Sequence, residues 1–215
     1  MSQQLDIFDQ LESHQPQVKH PSTEKKLIDV DGEAIFYPHF FRSEEANQLF
    51  QELENNISWR QDYIKFYGKV IPLPRLTAWY GDEGKSYTYS GIEYQPNPWI
   101  LTLETIKAKV ETVANVRFNS VLLNFYRTGK DSMAWHSDDE PELGINPVIA
   151  SVSFGGSRRF CLKHKKKLNS KVNVELFPGS LLVMKGELQH YWLHQVPKTK
   201  KAVNPRINLT FRVIQ

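Results

Sequence analysis

His136, Asp138 and His194 are the side chains of this 215-residue chain best suited to redox chemistry. Two imidazoles and one carboxylate can bind one face of a metal ion and leave its other positions open. The usual occupant of such a set is non-haem Fe(II), as in the oxygenases. Zinc is the competing metal, since it also accepts two histidines and a carboxylate with an open site. A second pattern favours iron. Arg206, Asn208, Thr210 and Arg212 alternate with Ile207, Leu209, Phe211 and Val213. Such alternation puts the polar residues on one face of a strand and the apolar residues on the other. The apolar face packs against a second sheet or helices, and the polar face looks into a wet or liganded cavity. Two inward guanidiniums require anions. Their planar forks suit carboxylates. Residues 206 to 212 span roughly 20 Å, close enough for both heads to lean onto one short dicarboxylate.

The ligands need elements that hold them. In an extended segment, His136 and Asp138 share a face while Ser137 turns away. The third ligand comes from another strand. His194 is favoured over His190 because the apolar neighbours in Trp192-Leu193-His194-Gln195-Val196-Pro197 would hold it rigid. His190 lies about 13 Å back along an extended chain. Taken alone, His-x-Asp also fits a polar turn with an N-capping aspartate.

Beyond residue 115 the hydrophobic period is two. Strands are expected over 118–126, 148–154, 159–163, 172–177, 181–185, 191–196 and 207–213. Turn signals separate them, among them Thr128-Gly129-Lys130, Gly155-Gly156-Ser157 and Pro178-Gly179-Ser180. Many short strands at this spacing predict a mainly β, α+β architecture, a double-stranded β-helix or jelly roll. Two helices support it from the N-terminal side. One is capped by Ser43 and runs to Asn55, with Ala46, Leu49, Phe50 and Leu53 on one face. The other opens at Pro98 and buries Leu103, Ile106, Val110 and Val113. Residues 1–25 read as a flexible tail and residues 26–215 as one domain.

Composition allows a real core, with 40% hydrophobic residues. No apolar run is long enough to span a membrane, and the N-terminus lacks the pattern of a secretory signal. The single cysteine, Cys161, cannot form an internal disulfide and reads as a reduced core residue. A cytoplasmic location fits. Net charge is only +3, but Arg158, Arg159, Lys163, Lys165, Lys166 and Lys167 form one basic cluster, and Lys198, Lys200 and Lys201 another. These are either solvated turns or a phosphate-contacting surface.

Several segments together resemble the AlkB family of Fe(II)/2-oxoglutarate dioxygenases, which dealkylate nucleic acids. They are Asn124-Phe125-Tyr126, His136-Ser137-Asp138-Asp139-Glu140, Ile149–Gly155, Trp192–Pro197 and Arg206–Arg212. The likeness runs from about residue 28 to residue 215 and is strongest for the branch holding the mammalian nuclear DNA-repair members. It implies Fe(II) on His136, Asp138 and His194. It implies 2-oxoglutarate between Arg206 and Arg212, with Asn124, Tyr126, Asn208 and Thr210 as hydrogen-bonding neighbours. Which arginine takes which carboxylate stays open. O2 is the second co-substrate; the products are succinate, CO2 and formaldehyde from the N-methyl group.

On the substrate side, Tyr87-Thr88-Tyr89-Ser90-Gly91 resembles the family's base-flipping lid, with Tyr89 stacking on a flipped base and Tyr87 and Ser90 lining its pocket. Phe66-Tyr67-Gly68-Lys69 resembles the finger that fills the gap the base leaves, with Tyr67 as the inserted residue. Core aromatics on ordinary strands are the alternative for both. Asp139 is expected to attract cationic 1-methyladenine and 3-methylcytosine, while Glu140, ahead of Pro141, shapes the loop. The implied substrate is alkylated DNA, single- or double-stranded. RNA or protein as substrate, or a non-catalytic nucleic-acid-binding module, are the alternatives. A structural metal in such a module would normally have four closed protein ligands. The expected state is a monomer, in the bacterial cytoplasm or, in a eukaryote, the nucleus.

Gln4-Leu5-Asp6-Ile7-Phe8 resembles the short peptide by which bacterial repair and replication proteins dock on the sliding clamp. A few apolar side chains on a tail can fill a preformed pocket at modest ordering cost. Deleting residues 1–10 is expected to weaken clamp pull-down and leave turnover of a free oligonucleotide intact. Unchanged pull-down would end the docking idea.

Overall fold

Period-two stretches become two antiparallel sheets in the computed structural model, which describes residues 24–66, 68–84, 87–89 and 92–215, with backbone alone at 65–66, 87–89 and 92–94. From edge to edge the larger sheet runs Lys25–Ile28, Glu33–Tyr37, Ser180–Lys185, Ile149–Gly155, Arg206–Arg212, Ser120–Tyr126 and Leu76–Gly81. The smaller runs Lys171–Leu176, Arg158–His164, Trp192–Val196 and Met133–His136. Sequential strands lie apart and return beside earlier ones, as in a jelly roll. Each strand expected after residue 115 is present, its ends displaced by a residue or two. Lys25, expected in the tail, opens the first described strand. No described helix is long and apolar enough to cross a membrane.

Two strands that sequence reading missed share an identifiable cause. Glu33–Tyr37 sends Ile35 against one core cluster and Phe36 into the other. Leu76–Gly81 likewise buries Ala78 and Tyr80 on one side and Trp79 on the other. A strand covered on both faces loses its alternation.

Ser43–Asn56 and Leu101–Ala114 cover the outer face of the larger sheet. Ile207, Leu209 and Phe211 pack there with Leu53, Leu103, Ile106 and Val110, so the apolar face of the arginine strand meets helices. Burying such a layer supplies about 25 cal/mol per Å² of apolar surface removed from water. Two expectations need correction. Ser43 is the first residue inside its helix; Arg42 occupies the cap and makes no side-chain cap bond. Glu44 and Glu45 complement the helix dipole instead. Pro98 precedes the second helix, whose cap is Ile100. Between the sheets, Phe36, Ile149, Leu182 and Met184 meet Phe160, Leu162, Trp192 and Val196 in a second apolar cluster.

Gly155 ties this frame to the arginine strand. Its φ is +78°, and a Cβ there would fall 2.4 Å from the Pro205 carbonyl oxygen and 2.5 Å from the Phe50 ring. It pairs directly with Arg206 across the strands. Gly155→Ala is expected to destabilise the fold by about 2–4 kcal/mol, through strain and overpacking together. Urea denaturation checks this; a loss below about 0.5 kcal/mol, the size of an ordinary surface change, would show that the turn relaxes freely.

Candidate active site

His136 ends the Met133–His136 strand, and its Cα partner across the antiparallel pair is His194. Directly opposed residues on one face come close, and the two imidazole centroids lie 4.2 Å apart. Phe160 stacks on His194 at 5.3 Å and fixes its ring. Asp138 follows two residues after His136. The ligand atoms of His136, Asp138 and His194 all lie within 4.8 Å of one another. His136 Nδ1 sits 2.8 Å from the Ala134 carbonyl oxygen, which places the proton on Nδ1 and turns the Nε2 lone pair toward Asp138. His190, set aside on sequence grounds, is exposed on the helical turn Leu188–Tyr191.

Protonation states suit a cation. Burial alone would raise the Asp138 carboxyl, but Arg212 and the two imidazoles outweigh it and bring it down to about 2. Burial pushes His194 down to about 3, so its imidazole is neutral at physiological pH. An ionised carboxylate and a neutral imidazole are the forms that bind metals.

Beside the triad is a pocket of about 50 Å³ lined by Asn124, Tyr126, Ser151, Asn208, Thr210 and Arg212, on or against the arginine strand. Asn208 stands between Asn124 and Ser153, Thr210 between Leu122 and Ser151, and Arg206 between Tyr126 and Gly155. Ser151 Oγ donates to Asn208 Oδ1 (3.0 Å) and Asn208 Nδ2 donates to Thr210 Oγ1 (2.8 Å). Arg206 is 0% exposed. Its Nη2 donates to Ser153 Oγ (2.9 Å) and Asn208 Oδ1 (2.6 Å). Its Nε and Nη1 are buried with no hydrogen-bond partner among the described residues. Burial lowers Arg206 to about 10, so it stays cationic. A buried cation with free donors fits an incoming carboxylate. Arg212 stands at the other end, its Nη2 donating to Asp138 Oδ1 at 2.8 Å.

In front of the triad is a second cavity of about 140 Å³. His136, Asp138 and Arg212 line both spaces. Trp79, Leu143 and Ile214 give the outer cavity apolar walls, and Asp62, Asp138 and Glu140 with Arg60, Arg75 and Arg212 give it charge of both signs.

The chain matches the 2OG-Fe(II) oxygenase superfamily over residues 33–212. It is 43% identical over 187 residues to the mouse (Mus musculus) alpha-ketoglutarate-dependent dioxygenase alkB homolog 3, covering 83% of this chain and 65% of that protein. It is 41% identical over 197 residues to the human (Homo sapiens) DNA oxidative demethylase ALKBH2, covering 87% of this chain and 76% of that one. The chain belongs to the 2OG-Fe(II) oxygenase superfamily, among the AlkB homologues. It thus spans just under two thirds of the length of the mouse relative. A solved structure of OsALKBH1 superposes with a TM-score of 0.58 at 15% identity, over 84% of this chain and 96% of that one, and shows the shared fold.

Several expectations about the side chains of this chain change. Asp139 is 53% exposed in its side chain, bonded to Ser137 and near Lys165, and does not line the cavity. Glu140 does. The cause is the same alternation that turned Ser137 away: residues 136, 138 and 140 face in, 137 and 139 out. Arg158, placed in a basic surface, is buried. Lys167 pairs with Asp31, while Lys166, Lys198, Lys200 and Lys201 are exposed. Tyr63–Phe66 pairs with Lys69–Pro72 as a hairpin, with Lys69 exposed. Tyr87–Tyr89 pairs with Ile92–Tyr94. Tyr67, Ser90 and the segment Gln4 to Phe8 lie outside the described residues, as do the side chains of Phe66, Tyr87 and Tyr89.

Sequence reading also missed residues that hold the site. Ser151 and Ser153 left a signal, two hydroxyls at strand spacing in an apolar run. Arg75, whose Nε donates to Asn124 Oδ1 at 2.6 Å, left none. Neither did Gln189, 1% exposed, whose Oε1 accepts the Asp138 backbone N–H at 2.9 Å. Lys165 Nζ braces the same loop through the Gln189 carbonyl oxygen (2.9 Å) and Ser137 Oγ (3.0 Å). Gln189→Leu is expected to weaken Fe(II) or Mn(II) binding about 10- to 100-fold, the usual cost of losing a residue that orients a ligand. Metal titration of the folded variant checks it; affinity within about twofold of the parent, well short of that cost, would remove Gln189 from the site.

Proposed function

We propose that the chain demethylates N-alkylated DNA bases, 1-methyladenine and 3-methylcytosine, using Fe(II), 2-oxoglutarate and O2. One observation carries this reading: His136 and Asp138 stand where two cavities meet, one walled by Asn208 and Tyr126 against a buried guanidinium with free donors, the other holding Asp62 and Glu140 among Arg60, Arg75 and Arg212. The names of the relatives, an alpha-ketoglutarate-dependent dioxygenase and a DNA oxidative demethylase, support it.

In this reading His136, Asp138 and His194 hold the iron. With iron bound, O2 and 2-oxoglutarate become succinate, CO2 and an oxygen atom delivered to the N-methyl group, which leaves as formaldehyde. The chain supplies placement and charge. Arg206 takes the far carboxylate of 2-oxoglutarate at the closed end, with Tyr126, Asn124, Asn208 and Thr210 shaping the walls. Arg212 faces the metal end and keeps Asp138 ionised and oriented. Substrate and co-substrate then approach the metal from separate sides.

In the outer cavity, the Glu140 carboxylate favours a cationic methylated base over its neutral parent, against the Arg60, Arg75 and Arg212 guanidiniums that share the wall. Asp62 is itself held by Arg60 (3.0 Å) and by the Thr77 hydroxyl. Trp79 and Leu143 exclude water, which strengthens these charges. The base reaches the cavity by leaving the stack, at a cost of a few kcal/mol that is smaller for a lesion unable to pair. Tyr67 with Phe66 and Lys69 fills the gap, while Tyr87, Tyr89 and Ser90 close over the base. The exposed lysines near residues 166 and 200 contact phosphates. Clamp docking through Gln4 to Phe8 belongs to the same picture, as does a monomer in the bacterial cytoplasm or in a nucleus.

The test is formaldehyde release from methylated oligonucleotides with Fe(II) and 2-oxoglutarate. Asp138→Ala is expected to abolish it. Glu140→Gln should cost about tenfold in kcat/KM, roughly 1.4 kcal/mol. Asp139→Asn should change it by less than about threefold, since exposed charges contribute little. Turnover retained by Asp138→Ala, or no formaldehyde from any methylated nucleic acid, would sink the reading.

A further inference from the structure

Arg158 is 3% exposed, and among the described residues it has no ion pair. Its Nη2 donates to the carbonyl oxygens of Asp131 (2.9 Å) and Pro197 (2.7 Å), and its Nη1 to that of Thr128 (3.4 Å). The nearby Asp131 carboxylate accepts from Arg127 instead. Thr128 and Asp131 belong to the turn that carries the chain from Tyr126 to the His136 strand. Pro197 follows the His194 strand. One buried guanidinium therefore ties the ends of the strands bearing both imidazoles.

Arg158 also reaches the co-substrate pocket through an aromatic ring. Its Cζ lies over the Tyr126 ring at 5.6 Å from the centroid, and Arg206 Cζ lies over the same ring at 5.2 Å. Both distances are within cation–π range. Two buried cations thus share one tyrosine that lines the pocket, and neither makes an ion pair among the described residues, although the Glu175 carboxylate attracts both and Asp131 attracts Arg158. Like charges so placed repel, and in a water-poor site that repulsion is poorly screened. An anion delivered beside Arg206 relieves it.

We propose that Arg158 is a positioning residue for 2-oxoglutarate: without touching the ligand, it fixes Tyr126 and adds positive potential at the seat of the far carboxylate. The inference rests on the reading of this pocket as a dicarboxylate site. It gives the pocket two cations for one carboxylate. It also makes the far carboxylate, rather than the keto acid end, the part of the ligand that senses residue 158.

Isothermal titration of the Mn(II)-loaded full chain tests this with two ligands of equal carbon length. 2-Oxoglutarate carries the far carboxylate, and 2-oxopentanoate lacks it. Arg158→Met is expected to weaken 2-oxoglutarate about tenfold, the size of a single partly screened charge interaction, and to change 2-oxopentanoate by less than about twofold. Arg158→Lys keeps the charge and should hold 2-oxoglutarate within about threefold of wild type. In turnover, KM for 2-oxoglutarate should rise more than kcat falls. Equal weakening of both ligands would make Arg158 a structural tie only and overturn the proposal, as would unchanged 2-oxoglutarate affinity in Arg158→Met. If that variant fails to fold, the lysine variant decides: parallel loss of both ligands overturns the proposal, and retained 2-oxoglutarate affinity supports it. Failure of the wild-type protein to bind 2-oxoglutarate would instead overturn the pocket reading, and this inference with it.

Discussion

Strand register is the constraint on which the site depends. His136 meets His194 because their Cα atoms are paired across the smaller sheet. Arg206 meets Tyr126, and Asn208 meets Asn124, because the arginine strand pairs in that register within the larger one. Side chains alternate with a period of two, so a slip of one residue would turn every one of these groups to the opposite face. Register is in turn fixed by burial. Ile207, Leu209 and Phe211 must reach the helices, and a one-residue slip would put Asn208 and Thr210 there instead. The apolar face of the strand therefore specifies the position of its chemical face.

The second determinant is charge. Burying Arg206 and Arg158 without carboxylates is costly in isolation. Arg206 has hydroxyl and amide oxygens, and Arg158 has backbone carbonyls. Those partners are neutral, and the Glu175 carboxylate that attracts both makes no ion pair with either, so positive potential survives beside Tyr126. At the open end, Asp138 offsets Arg212 and carries the negative charge toward the metal position. The strand thus runs from a cation without an ion pair to a paired one, and Arg206 supplies the free donors that give an anionic ligand its direction.

Much of this was legible in the sequence, for reasons that also mark where legibility stopped. The alternation in Arg206–Arg212 was readable because one face is apolar and the other polar. Glu33–Tyr37 and Leu76–Gly81 were not, because both of their faces are covered. The triad could be assembled from spacing and residue type, and the structure brings it within bonding reach of one ion. Parity would have favoured Glu140 over Asp139 had the extended run been carried two residues beyond Asp138. Gln189, Arg75 and Arg158 are different. Each holds the site through backbone or amide contacts that come from the fold as a whole. Arg158 even sat in a run of basic residues whose other members are half-buried or exposed, so composition pointed it toward solvent.

Those hidden supports explain why the site can be open yet ordered. Each free donor on Arg206 forgoes a hydrogen bond whose loss in a buried place costs about 1–3 kcal/mol. Such strain persists only where the surroundings over-determine the side chain. Here they do: Arg206 is held by Ser153 and Asn208, lies over Tyr126, and is packed to zero exposure. The same holds at the metal end, where Gln189 and Lys165 brace the loop that carries Asp138. A ligand that satisfies those donors adds hydrogen bonds in a buried place, and by mass action it stabilises the whole fold. Binding and stability are therefore linked through the guanidinium that the apolar layer is shaped to bury.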